Sequence, residues 1–299
     1  MNAPSPVPCH HRAADLQAAL APLRLAGPSV GFVPTMGALH AGHLALVDAA
    51  LARCAVVVVS IFVNPTQFGP NEDFDRYPRT LEADLEALAG RSGVQVYAPA
   101  ADDLYPDGSE VLFRLPRLGS ILCGAFRPGH FEGVAQVVAK LVQRVRPDVL
   151  VLGQKDYQQT VVIGRLLAEY FWPVALVVAP TVREADGLAL SSRNRYLTPS
   201  ERALAPMLHD CLLEVQAGLA AQPEVAFWQQ HVALRLAVAR DFRLEYFEIR
   251  EPSRLLALER VEAGTAAVAL IAAWLGQTRL IDNVRLDGVL AGALDPRPC

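Results

Sequence analysis

The chain has 299 residues, of which 52 % are hydrophobic and 19 % charged, and its formal net charge is −4. This length fits roughly two domains of ~150 residues each, and the composition excludes a disordered chain. The acidic balance argues against a nucleic-acid partner bound through a broad basic face. Five scattered cysteines, with no CxxC pair, are typical of free thiols in a reducing cytoplasm.

The first segment, residues 1–12, is rich in proline and has no apolar stretch typical of a signal peptide, so we expect a loose tail there. The longest apolar runs are Cys54–Val63, broken only by Ser60, and Ala266–Leu275. Each is about half of the ~20 residues that span a bilayer. We therefore expect no membrane partner and a cytoplasmic location.

After this tail, short apolar runs alternate with helical patterns as far as residue 179. The runs predict strands at Ser29–Val33, Ala55–Phe62, Val94–Ala98, Val149–Leu152 and Val174–Ala179. The segments between them predict helices at His43–Leu51, Thr80–Ala89, Phe131–Val145 and Gln158–Tyr170. Continuous apolar runs are typical of strands covered on both faces. The alternation therefore predicts an α/β domain over residues 1–182, with a doubly wound, Rossmann-like parallel sheet.

From Thr198 the pattern changes. Thr198 and Pro199 are typical of a helix N-terminus, and helical periodicity continues to Ala220. A second predicted helix spans about Glu224–Asp241, and three strand-like segments follow, "LEYFEIR", "TAAVALIAAWL" and "TRLIDNVRL". We expect a smaller α+β domain over residues 183–299, suited to closing over a cleft as a lid.

Four polar stretches follow directly on predicted strands: "PTMGALHAGH", "NPTQF", "GQKDYQQ" and "PTVREADGLALSSRN". In an open parallel sheet, ligands bind outside the carboxyl ends of the strands, where such loops converge. We therefore predict that all four loops face one site.

The first of these loops carries His40 and His43, which lie on one face of the first turn of a predicted helix. Two interpretations stay open: the imidazoles bind a phosphate group at the helix start, or they merely cap the helix. A metal site is a weaker interpretation, since the spacing is not HExxH and no third ligand is apparent. The GxGxxG and GxxxxGK[ST] motifs are both absent.

The third and fourth loops carry further candidates. Only two of the 27 basic residues are lysines, Lys140 and Lys155, so Lys155 in a polar loop suggests a phosphate ligand. Ser191, Ser192 and Arg193 add hydroxyls and a guanidinium, although "SSRN" taken alone is more typical of a turn or an N-cap. The neutral side chains of Asn64, Gln67 and Gln159 could orient a small polar substrate.

Taken together, the motifs resemble the pantoate–β-alanine ligase family, over about Gly31 to Arg285. The segments that carry the resemblance are "PTMGALHAGH", "SIFVNPTQF", "YPRT", "RPGHFEGV", "GQKDYQQ" and "PTVREADGLALSSRNRYL". That family belongs to the nucleotidylyltransferase superfamily, in which "HAGH" is similar to the HIGH signature and "LSSRN" stands in place of KMSKS. The resemblance implies ATP-dependent condensation of pantoate with β-alanine through a pantoyl adenylate, with Mg²⁺, in a cytoplasmic homodimer formed through the N-terminal domain.

The resemblance also implies roles for individual residues. His43 would be the proton donor, and His40 and Lys155 would join it in catalysis. The implied ATP-binding residues are Met36, Gly37, Ala38, Leu39, His40, Ala41, Gly42, His43, Gly153, Gln154, Lys155, Asp156, Val182, Leu190, Ser191, Ser192 and Arg193. Gln67 and Gln159 would hold pantoate, Asn64, Tyr77 and His130 would lie in the substrate site, and Asp84 would belong to the magnesium region.

One position departs from the family pattern, because Gln154 stands where the family usually has glutamate in GEKD. Activity should survive if this position acts mainly through its backbone. Two other functions stay open: a nucleotidylyltransferase acting on a phosphorylated acceptor, and a non-catalytic nucleotide sensor or RNA-binding relative of the synthetases.

Overall fold

The computed structural model describes residues 7–286 except for 26, 28, 71, 107–109, 240 and 263. The described chain divides into two compact units. The first unit comprises the chain up to Gly153 together with Val162–Ala179, and the second comprises Gln154–Val161 together with the chain from Pro180 onward. The segment around Lys155 thus belongs to the second unit, whereas the sequence analysis placed it in the first domain.

The first unit is built on a six-stranded parallel sheet. Its strands are β1 (Cys9–His10), β2 (Val30–Thr35), β3 (Val56–Ile61), β4 (Val94–Tyr97), β5 (Val149–Gly153) and β6 (Ala175–Ala179). They lie in the order β1-β4-β3-β2-β5-β6, and every neighbouring pair is parallel. The prediction of a doubly wound parallel sheet is confirmed.

Helices connect these strands. They are α1 (Ala13–Leu25), α2 (Ala41–Leu51), α3 (Leu81–Leu88), α4 (Ala101–Leu104), α5 (Cys123–Phe126), α6 (His130–Val145) and α7 (Tyr157–Glu169). The chain winds outward from β2 through β3 to β4 and then returns to add β5 and β6 on the other side of β2. The strand order therefore reverses between β2 and β5, which is where doubly wound sheets bind ligands.

The N-terminal segment is a correction to the sequence analysis. Cys9 and His10 are not part of a loose tail, because they pair with Val96 and Tyr97 of β4. The imidazole of His10 also contacts the Gln95 side-chain oxygen at 2.9 Å. Residues 1–6 of the expected tail lie outside the described residues.

The second unit contains a three-stranded antiparallel sheet in the order β7 (Phe242–Arg250), β8 (Val268–Leu275) and β9 (Thr278–Arg285). Its helices are α8 (Pro199–Leu204), α9 (Met207–Gly218) and α10 (Val225–Ala237). Buried apolar residues of α9, α10 and the sheet form one core. The α+β prediction is confirmed, except that the single helix expected from Thr198 to Ala220 is two helices, since Pro206 cannot continue the hydrogen-bonding of α8.

No helix in the described part of the chain has the length and apolar character needed to cross a bilayer.

A buried ion pair ties β9 to the loop that follows β6. Asp282, only 4 % exposed, accepts hydrogen bonds from Arg183 at 2.6 and 2.9 Å, and Arg183 also donates to the Gly187 carbonyl. Burial raises the pKa of Asp282, but the nearby His209 imidazole, 3.5 Å away, and the hydrogen bonds and charge of Arg183 outweigh burial and hold the pKa below its ordinary value.

We expect Asp282→Asn to lower the free energy of unfolding by about 3 kcal/mol at neutral pH, because Arg183 would be left without its buried partner. A depressed carboxyl pKa stabilises the fold above the unfolded-state value of 3.8 and ceases to do so as the pH falls through the folded value. The difference from wild type should therefore shrink in denaturant titrations at acidic pH.

The control is Asp186→Asn, which removes a largely exposed ion pair with Arg202 and should change stability much less. Equal stabilities of Asp282→Asn and wild type at neutral pH, or a difference independent of pH, would contradict this account.

Candidate active site

The loop between β2 and α2 lies at the point where the strand order reverses. It turns sharply, since Gly37 and Ala38 have φ angles of 82° and 50°. The Thr35 hydroxyl accepts a hydrogen bond from the Gly37 amide at 3.1 Å and donates to the Ser60 carbonyl at 2.7 Å. A Cβ atom on Gly37 would lie 2.9 Å from a carboxylate oxygen of Asp84, so the turn requires glycine.

The Asp84 side chain holds this loop through hydrogen bonds to its backbone. Its side chain, 2 % exposed, accepts hydrogen bonds from the amides of Ala38 and Leu39 at 3.0 and 2.7 Å, one to each carboxylate oxygen. The structure shows that Asp84 supports the backbone of the loop, and its assignment to the magnesium region stays a prediction. Among the described residues, no group of three or more His, Cys, Asp or Glu side chains could hold a metal ion.

The two histidines at the start of α2 cap the helix reciprocally. Nδ1 of His40 accepts a hydrogen bond from the Gly42 amide at 3.1 Å, and Nδ1 of His43 accepts one from the His40 amide at 3.3 Å. The ring centroids are 4.1 Å apart. Because each Nδ1 is an acceptor, each neutral ring carries its proton on Nε2 and is a hydrogen-bond donor there.

This geometry removes the conflict between the two interpretations of the histidine pair. Capping occupies Nδ1, whereas binding of an anion would use Nε2–H. The start of an α-helix also favours negative charge through its unpaired amides and its dipole. The loop and the first turn of α2 together can therefore bind a phosphate group.

The turn after β3 places Gln67 beside this loop. Gln67 donates from Nε2 to the sulfur of Met36 at 3.1 Å, and its Oε1 accepts from Asn64 at 3.1 Å. Asn64, 1 % exposed, also donates to the Gly133 carbonyl, and its Oδ1 accepts from Thr66 and Tyr105. Asn64 thus positions Gln67, and its polar atoms are engaged within the protein rather than directed at a substrate.

His130 has a similar positioning role. Its Nδ1 donates to the Gln67 carbonyl at 2.8 Å, while its Nε2 accepts from Arg127 at 2.9 Å. Arg127 in turn pairs with Glu72 at 2.7 and 2.5 Å. Burial raises the pKa of Glu72, but the hydrogen bond and charge of Arg127 more than offset this, so the pKa lies below its ordinary value.

Neither Arg127 nor Glu72 was predicted from the sequence. A signal existed for Arg127, which opens the "RPGHFEGV" segment three residues before His130. Glu72 gave no signal, since its segment has the composition of a solvated loop. Tyr77, a predicted substrate-site residue, is buried and packs edge-to-face on Phe68 at 5.9 Å.

Most of the remaining predicted residues lie in the second unit. Gln154–Asp156 form a short 3₁₀ turn before α7, and Lys155 Nζ lies 3.6 Å from Asp156. Half-buried Gln159 follows on α7. Val182 accepts a hydrogen bond from the Leu190 amide, and Ser191 caps the 3₁₀ turn Ser192–Tyr196 by accepting from the Arg193 amide. Gly153 ends β5 in the first unit.

A substitution at Gly133 tests whether the position of Gln67 matters. A Cβ atom there would overlap the Thr66 carbonyl and lie 2.8 Å from the Gln67 amide, so Gly133→Ala must displace the turn. A shift of about 1 Å can lower turnover by about 10²-fold. Steady-state kinetics should show a loss of this order in kcat/KM for the small polar substrate that Gln67 is predicted to hold.

Gly164→Ala on α7 is the matched control, because its Cβ would meet only a flexible leucine side chain at 3.3 Å. Normal kinetics in Gly133→Ala would show that the position of the Asn64–Gln67 turn does not determine kcat/KM.

Comparison with known proteins identifies the family to which the chain belongs. The family model described as Pantoate-beta-alanine ligase matches residues 9–285. Pantothenate synthetase 1 of Bradyrhizobium diazoefficiens is 50 % identical over 92 % of this chain and 96 % of its own length. Pantothenate synthetase of Moorella thermoacetica is 49 % identical over 90 % and 94 %.

Solved structures give the same result. The crystal structure of pantothenate synthetase from Thermus thermophilus has a TM-score of 0.86 and 43 % identity, covering 94 % of this chain and 99 % of that one. The ligase from Francisella tularensis, complexed with "Beta-gamma ATP and Beta-alanine", has a TM-score of 0.77 and 33 % identity, covering 95 % and 99 %.

Proposed function

Because the chain belongs to the pantoate–β-alanine ligase family, we propose that it condenses pantoate with β-alanine to form pantothenate, using ATP and releasing AMP and pyrophosphate. The observation that carries the mechanism is the reciprocal capping of His40 and His43, which presents two Nε2–H donors at the start of α2. Pantothenate then supplies the pathway to coenzyme A.

The proposed first step is attack of the pantoate carboxylate on the α-phosphorus of ATP, which forms pantoyl adenylate as pyrophosphate leaves. Negative charge builds on the α-phosphate and on the departing oxygen. Donors fixed in advance stabilise such charge, and one donor is commonly worth ~10²–10³ in rate. His40, His43 and the amides of α2 are donors of this kind, and Lys155, Ser191, Ser192 and Arg193 would supply others from the second unit.

In the second step the neutral amine of β-alanine attacks the activated carbonyl. The bond between the carbonyl carbon and the phosphate oxygen breaks, and AMP leaves with the electron pair as the amide forms. The amine loses one proton, which passes to water or to the departing phosphate. Gln67 would hold pantoate through its amide, supported by Asn64 and His130, and Gln159 would be its partner from the second unit.

Magnesium would enter as the complex with ATP and thus as part of the substrate. Asp84 lies beside the loop that would bind the phosphates, with each carboxylate oxygen accepting one backbone amide, and it would be the protein group of the magnesium region. Phosphate oxygens and water are the usual main ligands of magnesium in such complexes. We also propose a cytoplasmic location, supported by Cys9, Cys54, Cys123 and Cys211 being free thiols.

Product analysis tests the function directly. Purified protein supplied with ATP, Mg²⁺, pantoate and β-alanine should yield pantothenate and AMP by mass spectrometry. Without β-alanine it should exchange labelled pyrophosphate into ATP only when pantoate is present. A product that keeps the nucleotide attached would indicate transfer to another acceptor, and ATP binding without product would indicate a sensor.

The catalytic role of His43 can be separated from its capping role. In His43→Asn the side-chain oxygen can replace Nδ1 as the acceptor for the His40 amide, while the Nε2–H donor is lost. For His43→Asn we expect wild-type thermal stability and a kcat lower by about 10²-fold or more. Lys155→Ala should show a similar loss of kcat.

His231→Ala is the control, since His231 lies in the second unit and pairs with Glu214. Near-normal turnover of a stably folded His43→Asn variant would show that the histidine pair only caps the helix.

We propose a homodimer formed through the first unit. An exposed aromatic patch supports this: Phe171 is 90 % exposed, Leu112 is 69 % exposed, and Phe113 and Trp172 pack against Tyr170 at 5.6 and 5.5 Å. Large exposed apolar patches mark protein interfaces.

Light scattering at several concentrations should give twice the chain mass for wild type and a shift toward the monomer for the double variant Leu112→Asp, Phe171→Asp. The exposed pair Leu234→Asp, Val238→Asp on α10 is the control. A monomeric wild type would refute the proposal.

A further inference from the structure

The backbone around Lys155 is held by one side chain of β9. Asn283, 2 % exposed, donates from Nδ2 to the carbonyls of Gln154 and Lys155, both at 2.9 Å. The carbonyl of Gln154 belongs to the peptide group before the Lys155 Cα atom, and the carbonyl of Lys155 belongs to the one after it. Fixing both peptide planes restricts φ and ψ of Lys155 and hence the direction of its side chain.

Asn283 is itself fixed by its neighbour. Its backbone amide donates to Asp282 at 2.8 Å, and Asp282 is held by the ion pair with Arg183. Two consecutive residues of β9 therefore anchor two segments: Asp282 anchors the Arg183–Gly187 loop, and Asn283 anchors the Gln154–Asp156 turn. Both polar side chains are buried, so their hydrogen bonds are costly to lose.

We propose that Asn283 is a positioning residue that aims Lys155 at the phosphates of ATP, acting through the two carbonyls that flank Lys155. This inference rests on the proposed function, in which Lys155 stabilises phosphate charge. Asn283 itself contacts no substrate in this proposal. Its effect on catalysis comes only from the position that it gives Lys155.

The same contact bears on Gln154, which stands where the family usually has glutamate. The side chain of Gln154 makes only a longer hydrogen bond, 3.3 Å, to Asn283 Oδ1, whereas its carbonyl accepts the shorter bond. Position 154 thus contributes mainly through its backbone.

The test is a double-mutant cycle between Asn283 and Lys155. Asn283→Asp cannot donate to the carbonyls, and Asn283→Ser avoids adding a buried charge. A misplaced catalytic group can cost about 10²-fold, so each variant should lose kcat of this order with little change in KM for pantoate. In the Lys155→Ala background the same substitutions should have almost no further effect, because the group that they position is absent.

Gln216→Glu is the matched control. Gln216 donates its side-chain amide to the Arg285 carbonyl at 3.0 Å, on the same strand, and not to a carbonyl that flanks Lys155. The substitution makes the same amide-to-acid change and should leave kcat unaltered.

Additive losses in the double variants, or normal kcat in folded Asn283→Ser, would overturn the inference. Failure of both Asn283 variants to fold, judged by circular dichroism, would show a purely structural residue and would also overturn it. Failure of the proposed function looks different, because wild type itself would then form no pantothenate.

Discussion

The contact on which the first-unit site depends is the buried carboxylate of Asp84 beneath the β2–α2 loop. Two consecutive residues there, Gly37 and Ala38, have positive φ angles, and for alanine this conformation is strained. The hydrogen bonds from Ala38 and Leu39 to a charged acceptor, each worth about 1.5–3 kcal/mol, offset that strain. With the loop fixed, His40 lies at the N-cap of α2 and His43 lies three residues later.

Around this loop, most of the polar side chains that the family resemblance placed in the site bind the protein itself. Asn64 and His130 direct their polar atoms to Gln67 in the first unit. The second unit, taken by itself, shows the same principle, because Asn283 holds the two carbonyls that flank Lys155. Two candidate ligand-binding residues, Gln67 and Lys155, are thus each held by hydrogen bonds from other residues of the protein. A site built this way holds its donors in place before the substrate arrives, which is the condition for strong stabilisation of developing charge.

Elements set by local contacts could be predicted from the sequence, whereas those set by contacts between distant parts of the chain could not. β2 to β6 could be located because their apolar runs are a local property. The start of α8 could be located because Thr198 and Glu201 form a local capping box, with Pro199 at the first helical position. β1 could not, since two residues become a strand only by hydrogen bonding to β4, more than 80 residues later. The helix α1 also went unpredicted. The roles of Asp84 and Asp282 depend on partners 45 and 99 residues away, and no spacing rule contains them.

The capping of the histidine pair also bears on how His43 acts. The resemblance implies a proton donor, but a neutral ring whose Nδ1 accepts a backbone hydrogen bond would become an imidazolate anion if it released the proton on Nε2. Protonating Nδ1 first would break the bond to the His40 amide and loosen the cap. Formation of the adenylate from a carboxylate requires no net proton transfer, because pyrophosphate leaves as an anion. The geometry therefore favours an imidazole that donates a hydrogen bond and keeps its proton, and the contact that caps the helix is the one that sets this chemistry.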